Sequence, residues 1–135
     1  QYNVRMGDPE TQVVLPRINS DFLELLNSVH TGTLSDFDLK INESSAATVV
    51  MVSGGYPETY EKNMEIKGLD KVKESKVYHA GVTKEKGLLK TNGGRVLAVT
   101  SLGENVNRAL EISYCSISEI RFKKQYYRED IGFDL

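Results

Sequence analysis

Gln1, Asn3 and Arg5 occupy alternate positions at the start of the chain, in the stretch QYNVRMGDPETQ. On an extended strand such side chains share one face, spaced about 7 Å apart. Amide oxygens at that spacing suit a hard cation, and an arginine beside them reaches a phosphate or a carboxylate. The plainer alternative is an amphipathic strand whose polar face meets water. Asp8 and Glu10 form a carboxylate pair, with Asp8 placed to hold a cationic amine. Helix capping and dipole compensation suffice to account for both residues. Ser53-Gly54-Gly55 and Asn92-Gly93-Gly94-Arg95 are glycine-rich turns. Their exposed N–H groups can cradle an anion, and Arg95 can add a fork to it. Neither has the spacing of a P-loop or a dinucleotide fingerprint, and turn chemistry alone explains both. His30, His79 and Cys115 have no metal-ligand spacing and no partner for a nucleophile–base pair.

These residues need elements to position them. Tyr2, Val4 and Met6 alternate with the polar set, which predicts a strand over residues 1–6. Asp8 as N-cap and Pro9 at the first helical position predict a short helix to about Leu15, ended by Pro16. Asn19-Ser20-Asp21 starts a second helix whose stripe is Phe22, Leu23, Leu25, Leu26 and Val29, stopped at Thr31-Gly32. Residues 33–45 read as a short helix or loop joining two structural units. Ala47 to Val52 is a β-branched run long enough for a buried strand. Glu65-Ile66 and Lys76 to Ala80 are shorter strand candidates. Leu88 to Lys90 and Arg95 to Thr100, separated by Thr91-Asn92-Gly93-Gly94, predict a hairpin, because Asn-Gly tolerates positive φ. From Leu102-Gly103-Glu104 a helix runs to about Glu119, with Val106, Leu110, Tyr114 and Ile117 on one face, extended by Ala109 and Ile120. The expected class is α+β: an antiparallel sheet with one main packed helix, preceded by a strand and two helices.

The totals bound the function. The chain has 135 residues, 39% hydrophobic and 27% charged. That suffices for one ordinary domain, or one domain and a piece of another. A net charge of −2 argues against a nucleic-acid footprint. No stretch approaches the length of a membrane span, so no membrane partner is expected. A single cysteine excludes an intrachain disulfide and fits the cytoplasm. Gln1 begins inside a patterned segment, so the chain reads as a piece of a longer polypeptide.

Five stretches, YNVRMGDPETQVVLPR, VSGGYPETYEK, VYHAGVT, TNGGRVLAVTSLGE and YYREDIGF, occur in this order and cover nearly the whole chain. Together they resemble the C-terminal third of the phosphoribosylamine–glycine ligase (glycinamide ribonucleotide synthetase) family of ATP-grasp enzymes. The resemblance implies a reaction of purine biosynthesis. ATP phosphorylates the glycine carboxylate, and the nitrogen of 5-phosphoribosylamine attacks the acyl phosphate. It also implies a division into residues 1–33, the tail of the ATP-grasp domain, and residues 34–135, the small C-terminal domain.

In that family the opening strand reads Glu-(Tyr/Phe)-Asn, and its Glu and Asn bind the magnesium (or manganese) ions that bridge the ATP phosphates. Asn3 matches. Gln1 stands where the glutamate belongs, and a neutral amide should loosen the metal considerably. The same resemblance puts Arg5 on a carboxylate or phosphate, Asp8 on an amine, and Arg95 near the ribose phosphate. The glycine-rich loop and lysines that hold ATP are absent from these residues, so the chain by itself is expected neither to bind ATP tightly nor to catalyse. An opening strand without its neighbours is expected to be disordered, to re-pair with the C-terminal sheet, or to be shared in a dimer of two copies. The rival reading is an independent small binding module.

Overall fold

A computed structural model describes residues 4–134. Its centre is a pair of nine-residue strands, β1 (Ser45–Ser53) and β5 (Arg95–Gly103), antiparallel from Ser45 opposite Gly103 to Met51 opposite Leu97. β2 (Lys76–His79) extends the sheet beyond β5, and β6 (Gln125–Tyr126) beyond β1, in the order β2-β5-β1-β6. The β-branched run of β1 alternates as expected, with Ala47, Val49 and Met51 buried on one face.

Helix α3 (Val106–Glu119) lies over that face. Asn105 caps it by accepting from the Arg108 N–H at 2.9 Å. Leu110 and Ile117 are buried with Met51, Leu97, Val99 and Ile120 in the core. Each such side chain contributes roughly 1.5–3 kcal/mol when fully buried. Ala109 is also buried, so the expected stripe holds. Between its apolar members the helix also buries Ser113 and Ser116. Ser113 donates to Ser101 Oγ at 2.8 Å, and Ser75 sits within 2.7 Å of both Ser101 and Ser116. Small hydroxyls that satisfy one another let helix and sheet approach without an orphaned polar atom.

The hairpin falls elsewhere than the Asn-Gly signal indicates. β3 (Val82–Glu85) pairs with β4 (Leu88–Thr91) around Lys86-Gly87, whose φ values are 49° and 84°. β4 and β5 belong to different sheets. None of Asn92, Gly93 and Gly94 has positive φ, so the tight turn that would fold β4 onto β5 is not made. Instead Asn92 donates its N–H to Gly81 O at 2.7 Å, and residues 92–94 carry the chain from one sheet to the other. Glu65 and Lys67 form only isolated bridges, to Lys90 and Arg121.

On the opposite face of the main sheet lies α1 (Glu10–Val14), which continues as a tight turn over Leu15–Arg17. α2 (Phe22–Thr31) follows, capped by Asp21 at its start and by Gly32 in the left-handed conformation at its end. The α2 stripe is not a core: Leu23, Leu26 and Val29 are exposed, Leu23 at 75%. The opening strand is not extended over its described part. Val4 and Arg5 lie in a turn and Met6 has φ 53°. A strand with no ladder beside it leaves its backbone groups unpaired, which a turn avoids. Among the described residues no helix is long and apolar enough to cross a membrane.

Candidate functional site

Thr48, Val50 and Val52 of β1 face away from the core and form the floor of a cleft of about 460 Å³. That volume lies within the range of small-molecule sites. Pro9, Tyr56, Arg95, Tyr126, Tyr127, Arg128 and Ile131 complete its walls. Arg95 reaches it through an irregularity in the sheet. The register slips between Met51 and Val52, so that Val52 lies opposite Arg95 instead of Val96. By simple alternation Arg95 would share the α3 side with Leu97, Val99 and Ser101. The bulge at Val96 gives it the parity of Val52 and turns its guanidinium to the cleft.

The two glycine-rich turns meet at one end of the cleft. Ser53 donates its N–H to Gly94 O at 2.8 Å and its hydroxyl to Gly93 O at 2.9 Å. The Tyr56 ring lies directly on Gly94, where a β-carbon would collide with it. Tyr56 also meets Tyr60 edge to face, with centroids 6.1 Å apart. These turns are therefore structural ties, and their glycines serve close approach.

The third wall is the tail after β6. The Tyr114 hydroxyl of α3 donates to Arg128 O at 2.9 Å and accepts the Ile131 N–H at 3.4 Å. Arg128 forks onto Asp130, Nε to Oδ1 at 2.8 Å and Nη2 to Oδ2 at 2.9 Å. The two hydrogen bonds hold the Asp130 carboxyl below its ordinary value and the guanidinium above its own. At the rim, Arg95 Nη2 lies 3.0 Å from Asp8 Oδ2, with side chains 47% and 57% exposed.

The structure brings two of the expected site residues, Asp8 and Arg95, into one ion pair, with Arg95 in the cleft wall. Asp8 is not the cap of α1. Pro9 takes that position with no side-chain bond, because the Asp8 carboxylate turns to the guanidinium instead. Arg5 lies in the exposed turn and does not line the cleft. Gln1 and Asn3, the expected metal ligands, lie outside the described residues. Among the described residues no three His, Cys, Asp or Glu side chains converge as a metal would require. The described part of the chain therefore does not itself fit a metal centre. His30 and His79 are exposed, as is Cys115. Sequence reasoning missed Tyr56, Tyr126, Tyr127 and Arg128 as walls. The signal available was the outward parity of Thr48, Val50 and Val52, which marks a second sheet face needing a cover.

The family described as "Phosphoribosylglycinamide synthetase, C domain" matches residues 46–134. The phosphoribosylamine–glycine ligase of Fusobacterium nucleatum is 46% identical over 98% of this chain and 32% of its own length. The trifunctional purine biosynthetic protein adenosine-3 of Gallus gallus is 45% identical over 98% of the chain and 14% of its own length. The crystal structure of the phosphoribosylamine–glycine ligase of Thermotoga maritima superposes with a TM-score of 0.75 at 32% identity, over 96% of this chain and 32% of that one. The chain thus spans about a third of the length of the single-activity relatives it matches.

Proposed function

We infer, for a chain that belongs to the phosphoribosylglycinamide synthetase C-domain family, that it supplies one wall of an ATP-dependent ligase. That enzyme joins 5-phosphoribosylamine to glycine and yields glycinamide ribonucleotide, ADP and phosphate, a purine-biosynthetic step of the cytoplasm. The observation that carries this reading is Arg95, which a strand bulge turns into an apolar cleft walled by tyrosines. A guanidinium at such a place recognises a phosphate or carboxylate by its fork, and the apolar floor excludes competing water. The sugar phosphate of 5-phosphoribosylamine suits it in charge and size. Asp8, paired with Arg95, borders the same region on the α1 side.

Residues 1–33 belong in this reading to the end of an ATP-grasp domain, and residues 34–135 to the C-terminal domain. The exposed stripe of α2, Leu23, Leu26 and Val29, is then the face that packs on the remainder of the longer polypeptide. Asn3, with Gln1 beside it, would hold the magnesium of Mg–ATP, whose ion neutralises phosphate charge during phosphoryl transfer when bound. The nucleotide needs the remaining two thirds of the enzyme, so the chain alone binds Mg–ATP no tighter than millimolar and does not turn over.

Titration of ribose 5-phosphate into the chain, followed by NMR or calorimetry, tests the cleft. Binding should weaken about ten-fold or more in Arg95→Gln, since a hydrogen bond to a charged group is worth roughly 1.5–3 kcal/mol. Binding that is indifferent to this substitution overturns the assignment. Micromolar binding of Mg–ATP to the chain would contradict the division of labour.

A further inference from the structure

We propose that Asp8 is an internal stand-in for the anionic ligand: it occupies Arg95 at the cleft mouth and gives it up when a phosphate arrives. The proposal rests on the reading of the cleft as an anion site and adds a competing group within the chain. Three observations carry it.

Asp8 does not cap its own helix. It precedes α1, yet the N-cap position is Pro9 and no side chain caps the first turn. Its other side-chain contact, from Gln12 Nε2 to Oδ1, is long at 3.4 Å. The contact to Arg95, at 3.0 Å between Oδ2 and Nη2, is the shorter of the two.

The pair is built to exchange. It is a single contact, unlike the two-bond fork of Arg128 on Asp130. Both partners are about half exposed, and such pairs are weak because water screens them. A phosphate monoester brings more charge and three acceptor oxygens to the same guanidinium.

The docked position of α1 carries a cost. Gln12 Oε1 is buried with no hydrogen-bond partner, which penalises the arrangement that Asp8 helps to hold. Pro9, the residue after Asp8, lines the cleft. Release of Asp8 therefore loosens the segment that forms the mouth. Ligand entry and movement of residues 7–9 become one event, and Asp8 acts as a positioning residue through Arg95.

A double-mutant cycle on the whole chain, titrated with ribose 5-phosphate, tests this. Asp8→Asn should tighten binding about two- to five-fold, the range that a surface ion pair corresponds to. Asp8→Glu should return it toward the original affinity. In the Arg95→Gln background, Asp8→Asn should change affinity by less than about 1.5-fold, because the competition has lost its object. A gain that persists in that background would be general relief of negative charge and overturns the proposal. So does an Asp8→Asn chain that binds no tighter while Arg95→Gln still weakens binding, which leaves the cleft assignment standing. Binding insensitive to Arg95→Gln removes the cleft assignment and this proposal together. Both side chains are half exposed, and circular dichroism verifies that the variants fold.

Discussion

Replacing Gly94 with alanine isolates one contact on which the cleft depends. Gly94 does not use a positive φ, so alanine suits its backbone. The obstacle is the Tyr56 ring, which occupies the space of the new β-carbon. Tyr56 is 39% exposed, so about three-fifths of its surface is covered and the ring has an open side to move into. An aromatic side chain buries 150–250 Å² at most, which puts the covered part at roughly 90–150 Å². Full expulsion would cost about 2–4 kcal/mol at ~25 cal/mol per Å², and half-displacement about 1–2 kcal/mol. Half-displacement is the expected outcome, because the ring needs to retreat by only one methyl group. Urea unfolding of Gly94→Ala, Tyr56→Ala and the double variant measures it, provided the slope with urea is unchanged. The double variant should be less stable than Tyr56→Ala by under about 0.5 kcal/mol, since the alanine methyl then meets no ring. If Gly94→Ala costs as much without the tyrosine as with it, the glycine is required by its backbone and the packing argument fails.

Two further outcomes follow from the tail. Tyr114→Phe removes the hydroxyl that binds Arg128 O and receives the Ile131 N–H. It should cost about 1 kcal/mol and speed amide exchange at Ile131, while exchange in β1 and β5 stays slow. Asp130 has its folded-state pKa depressed by Arg128, so its small contribution to stability is present above the unfolded carboxylate value. That contribution is lost as pH falls through the depressed value. The carboxyl titration followed by carbon NMR should have its midpoint below the ordinary aspartate value, and Arg128→Gln should raise it. A midpoint that Arg128→Gln leaves unchanged would show that the fork does not persist in solution.

Much of the scaffold was legible because it depends on local pattern. The β-branched run from Ala47 to Val52, the stepped stripe of α3, the Asp21 cap and the Gly32 stop each carry their own cause within a few residues. The hairpin was misplaced because Lys86-Gly87 and Asn92-Gly93 are both competent turns. Pairing of β5 with β1, some fifty residues away in sequence, decides between them, and no local signal reports that. Asp8 was misread as a cap for a related reason. Its carboxylate had two uses, and the guanidinium that drew it away comes from a distant strand. Arg95 was legible as a candidate by type and neighbours, but its direction was not, since periodicity alone would send it toward α3. The tyrosine walls escaped notice because they come from a loop, a two-residue strand and a tail, all too short or irregular to carry a periodicity.

The irregularity at Val96 makes the strand behave like a coin with a parity bit. Removing that one residue would not merely shorten β5. It would flip Arg95 to the α3 side, burying a guanidinium beneath the helix and leaving the cleft without this charge. A single-residue deletion there should therefore damage folding and ligand binding at once, whereas an equal deletion in the exposed stretch around Glu58 should do neither so severely. The position of one extra residue with no partner on β1, more than the identity of the arginine, decides which side of the sheet is chemically interesting.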